Sequence, residues 1–290
     1  MKKRKILASL PVLVLSLLLV GSVLAASIDP VNRTVTATNL FVDWDGANPE
    51  MIVDLRWNGS GNLTNTAVIG GCPDALEFFG NSWVSIDEGT PGFIFRSLVG
   101  WGTTGTWDGV GTSKVRIRGA SEGCPGSAGV PVETSYRFFD HGPRTDTLEV
   151  RRRFRFGGDA FPYDLRPYIP RLYPSSNYSQ VLHPDAGGTA LLVQDPFACP
   201  FGCEVTDWNG TWFAIHDPGS GRGLVVTRQP SRYPATLWVD QDAASDTTAP
   251  SVLLHAPASG FRGSVVEQET LCFYDSTTWT PTLSLPDGCR

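Results

Sequence analysis

Beyond its first 25 residues this chain is cut so often by glycine and proline that no stretch is long enough for an amphipathic helix. The 290 residues include 31 Gly and 22 Pro. Between the breaks, apolar and polar residues alternate with the period of two that a half-buried strand shows. In TLEVRRRFRF (147–156), Leu148, Val150, Phe154 and Phe156 fall on one face, and Glu149, Arg151, Arg153 and Arg155 on the other. Arg152 breaks the apolar face. KVRIRG (114–119) alternates in the same way, with Lys114, Arg116 and Arg118 against Val115 and Ile117. The fold class predicted is all-β: a large, supersandwich-like antiparallel β-sandwich. No internal repeat or low-complexity linker divides residues 26–290, which read as a single domain.

Residues 1–25 have the form of a secretory signal peptide. Lys2, Lys3, Arg4 and Lys5 precede an apolar run that ends in Val23-Leu24-Ala25. The run also has the length of a retained anchor, which cleavage after Ala25 would remove. Export would place the protein outside the cytosol, where six cysteines favour disulfides over metal. Pairing of sequence neighbours predicts Cys72 with Cys124, Cys199 with Cys203, and Cys272 with Cys289.

The charge is unevenly spread. The chain carries a formal charge of −6, and −10 without the four basic residues of the leader. Residues 114–171 hold eleven basic and seven acidic side chains, whereas the rest of the mature chain holds eight and 22. Overall acidity and the lack of a reader motif argue against nucleic acid. The strands of the basic segment, including the YRFF strand with Arg137, would instead present guanidinium groups suited to carboxylates or sulfates. The plainer reading is a solvated face whose arginines pair with Glu133 and Glu149.

All nine tryptophans follow the leader, and an indole suits the C–H face of a sugar ring. Trp101 and Trp107, in the glycine-rich GWGTTGTWDGVG, are the candidates for an exposed groove, while most of the others would fill the core. In WNGTWFAIHDPGSGRGLVV (208–226), Trp212 and His216 share a strand face, and Asp217 has the chemistry of a turn residue. YDLRPYIPRLYP (163–174) gathers Arg166 and Tyr168 on a proline-rich loop.

Three segments together resemble the galactose mutarotase-like β-sandwich proteins: FVDWDGANPEMIVDLRWNGSGNLTN (41–65), VETSYRFFDHGPRTDTLEVRRRFRF (132–156) and the W-x-A-I-x-D-x-x-x-G-x-G-L pattern from Trp212 to Leu224. The resemblance implies chemistry on carbohydrate: epimerisation at the anomeric carbon, lyase action on uronate polymers, or attachment to glycoside hydrolases. Epimerisation needs an acid, a role for which His183 or His216 is available, and a late glutamate as base. Glu267 and Glu269 are the late glutamates, and Glu269 is the candidate. The ligand-binding candidates are Trp101, Trp107, Trp212, Arg151, Arg153, Arg155, Arg166 and Tyr168.

Cofactor chemistry has little support. Asp43-x-Asp45-Gly46 and Asp240-x-Asp242 with Asp246 offer oxygen ligands that could hold calcium, but neither follows an EF-hand loop, and Asp in turns commonly bonds its own backbone. No cofactor is expected. The partner expected is a carbohydrate, with an anionic polysaccharide among the candidates, and with neither nucleic acid nor, after cleavage, a membrane. The alternative from a different class is a structural or adhesive extracellular β protein. The oligomeric state is not legible.

Overall fold

The computed structural model describes residues 26–44, 52–63, 68–69, 74–75, 83–86, 94–97, 106–109, 114–120, 131–140, 142–158, 160, 164–166, 170–199, 202–243 and 246–289. Its strands are, in chain order, β1 (Ser27–Asp29), β2 (Thr34–Thr36), β3 (Leu40–Trp44), β4 (Ile52–Trp57), β5 (Val68–Ile69), β6 (Asp74–Ala75), β7 (Trp83–Ile86), β8 (Ile94–Ser97), β9 (Thr106–Gly109), β10 (Lys114–Ala120), β11 (Pro131–Phe138) and β12 (Thr147–Arg155). There follow β13 (Asp164–Arg166), β14 (Gln180–Pro184), β15 (Leu191–Gln194), β16 (Cys203–Val205), β17 (Trp212–Asp217), β18 (Arg222–Arg228), β19 (Ala235–Val239), β20 (Gln241–Asp242), β21 (Thr247–Thr248), β22 (Ser251–Leu254) and β23 (Ser264–Tyr274). Among the described residues the helical structure is confined to two 3-10 turns, Gly142–Arg144 and Pro196–Ala198. The fold is therefore the antiparallel β-sandwich that the alternation predicts.

A nine-stranded sheet, in the order β15-β14-β17-β18-β23-β12-β11-β10-β9, forms one layer. A four-stranded sheet (β1-β2-β3-β4), a six-stranded sheet (β16-β19-β22-β13-β7-β8) and two two-stranded ribbons (β20-β21 and β5-β6) make up the rest of the described strands. The inner face of the large sheet carries Leu148, Val150, Phe154, Tyr136, Phe138, Leu224, Val226, Leu271 and Phe273. These side chains belong to one contiguous core with Val35, Val42, Trp44 and Trp57 of the four-stranded sheet and Leu165, Leu237, Val252 and Leu254 of the six-stranded one. Trp44 meets Tyr136 edge-on at 5.5 Å, and Trp57 stacks on Phe273 at 5.9 Å. Burial of each large side chain contributes about 1.5–3 kcal/mol. The four-stranded sheet is also tied to the 140–146 corner: Asp146 accepts from Asn39 Nδ2 at 2.5 Å and from Trp57 Nε1 at 2.9 Å.

Register makes the two faces unlike. A slip of one residue on β12 would send Arg151, Arg153 and Arg155 into the core and Val150 and Phe154 out of it, so this pairing is strongly specified. The outer face is itself divided. Over β14, β17, β18 and the end of β23, the C-terminal segment lays Trp279 onto Trp212, Tyr274 and Ala214, and the Cys272–Cys289 disulfide holds it there. Cys199 pairs with Cys203 as expected. The predicted Cys72–Cys124 bridge and the leader lie outside the described residues.

Candidate functional site

Strand β23, SVVEQETLCFY, directs Val265, Glu267, Glu269, Leu271 and Phe273 inward. Two of these five positions are carboxylates, on a face that is otherwise apolar. The register explains why they are tolerated. Glu267 lies opposite Arg152 of β12, which in turn lies opposite Thr134 of β11. Glu269 lies opposite Arg228 of β18 on one side and Val150, followed by Tyr136, on the other. Arg152, Glu269 and Thr134 have no solvent exposure, and Glu267 has 1%.

The cluster is only partly satisfied. Arg228 Nε donates to Glu267 Oε2 at 3.0 Å, and Arg152 Nη2 donates to the Tyr136 hydroxyl at 3.5 Å. Both carboxyl oxygens of Glu269, Glu267 Oε1 and Arg228 Nη2 make no hydrogen bond among the described residues. An unsatisfied buried polar group costs about 1–3 kcal/mol, and this cluster keeps several donors and acceptors with hydrogen-bonding capacity to spare.

Burial sets the protonation. It raises the Glu269 pKa to about 8, with the neighbouring Glu267 charge adding to the rise and Arg152 and Arg228 opposing it. Glu267 is also raised by burial, against the pull of Arg228 and then of Ser231. Alternate strand residues stand about 6.8 Å apart, and two carboxylates so close in a low dielectric do not both ionise readily. Of the two, Glu267 is the carboxyl paired with a guanidinium, and Glu269 keeps its proton at neutral pH. The cluster thus brings together a protonated carboxyl, an ion-paired carboxyl and two guanidiniums.

The other sequence-selected residues are dispersed. His183 shares the inner face but is fully buried on β14, three strand spacings or about 14 Å from β23. Gln194 Nε2 lies 3.2 Å from its Nε2, and the Pro184 carbonyl 2.9 Å from its Nδ1. His216 points the other way, onto the outer face, where Nδ1 meets the Tyr274 hydroxyl at 2.9 Å and the two rings stack. Burial lowers its pKa, with Asp217 opposing, while burial raises that of Tyr274. Gly223, opposite both rings in the ladder, is required there, because a Cβ would collide with the Ile215 carbonyl and the Tyr274 hydroxyl. Trp212 is packed under Trp279, so His216 and Trp212 share a face, but it is a covered one. Asp217 caps its own turn, accepting from Gly219 and Ser220. On the outer face of β12, Arg151 and Arg155 are exposed and Arg153 between them is half-buried.

Trp101 and Tyr168 lie outside the described residues, and Trp107 and Arg166 are described only through the backbones of β9 and β13. No group of three metal-ligating side chains occurs among the described residues, and Asp246 is engaged by the Ser175 hydroxyl at 2.5 Å. A separate cavity of about 250 Å³ lies beside the C-terminal disulfide, lined by Asp146, Thr147, Phe273, Thr278 and Asp287. Sequence reasoning missed Arg152, Arg228 and Tyr136 as a set. The available signal was Arg152, the one charge on an apolar strand face.

Among solved structures, a protein assigned as an aldose 1-epimerase from Escherichia coli K12 superimposes with a TM-score of 0.51 at 15% identity, over 83% of this chain and 98% of that one. The chain has the galactose mutarotase-like fold. This fold also matches part of an alpha-N-acetylgalactosaminidase from Bifidobacterium bifidum (TM-score 0.52, 11% identity, 83% of this chain and 36% of that one). It likewise matches part of a 4-alpha-glucanotransferase from Thermococcus litoralis (TM-score 0.50, 10% identity, 83% and 37%). The chain thus spans about a third of either of these last two enzymes. No protein-family model matches the sequence, and no curated protein matches it. In the galactose mutarotase-like sandwich of this chain, the inner-face carboxylates sit on the last and longest strand, central in the large sheet.

Proposed function

We propose that this protein is an exported carbohydrate-processing enzyme that transfers protons at the hemiacetal of a reducing sugar through Glu267 and Glu269. One observation carries the reading: two buried carboxyls share a strand face, one paired with Arg228 at 3.0 Å and the other keeping its proton to about pH 8. Protonated Glu269 would give its proton to the ring oxygen as ionised Glu267 takes the proton of the anomeric hydroxyl. The ring C–O bond then breaks, the anomeric C–O bond becomes a carbonyl, and reclosure on either face reverses both transfers. Arg152 and Arg228 would steady the charge that moves between the carboxyls. Carbohydrate-active enzymes among proteins of the same fold support this substrate class. Export is supported by the two disulfides.

Polarimetry on a panel of freshly dissolved α-aldoses tests the reading. Glu269→Gln and Glu267→Gln should each lower kcat by about 10²–10⁴-fold, and wild-type activity should fall above pH 8 as Glu269 ionises. Unchanged rates in both variants would exclude it. A second reading, a non-catalytic extracellular β protein, draws on the complete burial of Glu269. It predicts no turnover of aldoses or uronate polymers at any pH.

A further inference from the structure

The large sheet has a second polar surface that the inner-face chemistry does not use. Across β10, β11 and β12, the outer face presents Lys114, Arg116, Arg137, Arg151, Arg153 and Arg155 against only Glu133 and Glu149 among its described side chains. Cross-strand pairing accounts for part of this charge. Glu149 lies between two guanidiniums, Arg144 at 2.8 Å and Arg137 at 3.6 Å, while Glu133 is 3.9 Å from Arg155. Arg151 and Arg153 have no ion-pair partner among the described residues. The row runs Asp108, Arg116, Ser135, Arg151, Gln268, with its acid at the β9 end, and the small side chain of Ser135 separates its two guanidiniums. Arg137 and Arg155 are more than half exposed, at 56% and 57%. Val266, opposite Arg153, is 37% exposed, an apolar foothold inside the basic field.

We infer that this face binds a linear anionic polysaccharide, separately from any chemistry on the inner face. Arg151, Arg153 and Arg155 repeat about 6.8 Å along β12, while Lys114 and Arg137 stand one strand spacing apart, about 4.8 Å, and Arg116 and Arg151 two, a set of cations on which a chain bearing an anionic group at regular sugar intervals can make several contacts at once. Planar guanidiniums bind carboxylate or sulfate bidentately. The acidity of the rest of the chain, 22 acidic against eight basic residues, would repel any polyanion extending beyond the patch at random, and so confines binding to this face.

Affinity electrophoresis at low ionic strength, through gels containing polygalacturonate, dextran sulfate or neutral dextran, tests this. Retardation is expected with polygalacturonate, with dextran sulfate or with both, and not with dextran; the two anionic gels separate carboxylate from sulfate recognition. The variant Arg151→Ser/Arg153→Ser should bind at least tenfold more weakly. The control Arg56→Ser/Arg232→Ser, with the same charge change on exposed residues off this face, should bind as wild type. The inference is overturned if both double variants lose binding equally, if neither loses it, or if single-stranded DNA or anionic phospholipid vesicles compete better than either polysaccharide. Because none of these residues touches the inner cluster, its failure would leave the aldose assay unaffected.

Discussion

Glu269 is the residue on which the most hangs, and its environment makes the stability of the whole protein depend on pH. In the unfolded chain its carboxyl ionises near pH 4.3; in the folded protein it keeps its proton to about pH 8. Between these values the folded state binds more protons than the unfolded one, so stability falls as pH rises, by about 1.4 kcal/mol per pH unit for one such group. Below that window and above it this group contributes no slope. Glu267, also raised, acts in the same direction. Urea denaturation between pH 4 and 9 should therefore show declining stability in the wild type. Glu269→Gln, which fills the same volume without charge, should be flatter in pH and more stable at pH 8. Glu269 was legible in the sequence as a late glutamate of a family pattern. Its pKa was not, because desolvation depends on what covers a side chain rather than on what adjoins it along the chain.

Strands are the scale at which the cluster is assembled. Alternation in β12 and β23 marks which residues share a face, and it was readable directly: Arg151, Arg153 and Arg155 stand together, as do Glu267 and Glu269. The neighbours in the ladder were not readable. β23 pairs with β12 across a long gap in the chain, and with β18 on its other edge.

 The gap of 109 residues is that between Arg155, where β12 ends, and Ser264, where β23 begins. Arg228 reaches Glu267 only because β18 is the strand laid against β23, a choice made by packing across the core. The ion pair between these two strands should behave as a buried one. Arg228→Met alone leaves Glu267 buried without its cation and should lose about 3–5 kcal/mol. Arg228→Met/Glu267→Leu removes both charges and should recover most of that loss in a thermodynamic cycle of urea denaturation curves. Additive losses would show that the two side chains do not interact.

At the scale of the molecule, the large sheet separates three environments: a buried inner face with a polar cluster, an outer half covered by the C-terminal segment, and an outer half rich in basic side chains. The Cys272–Cys289 disulfide maintains the second of these. It closes a loop with a sequence separation of 17, and such a cross-link contributes about 3 kcal/mol by restricting the unfolded chain. Cys272→Ser/Cys289→Ser should lower stability by that order in urea denaturation. It should also shift tryptophan emission to the red as Trp279 and Trp212 gain water, while Arg228 and Glu267, on the opposite face, keep their ion pair.

The sequence by itself determined the fold class, the face on which each strand residue lies, two of the cysteine pairings and the concentration of positive charge in the middle of the chain. These are local properties: alternation, turn chemistry, short loop closure and composition can be read along one segment at a time. Only the tertiary structure decided that His216 and Glu269 face opposite ways, that Trp212 is covered, and that Arg152 and Arg228 converge on two glutamates. Those facts depend on which strands become neighbours, and that is set by the burial of apolar surface among segments far apart in the chain.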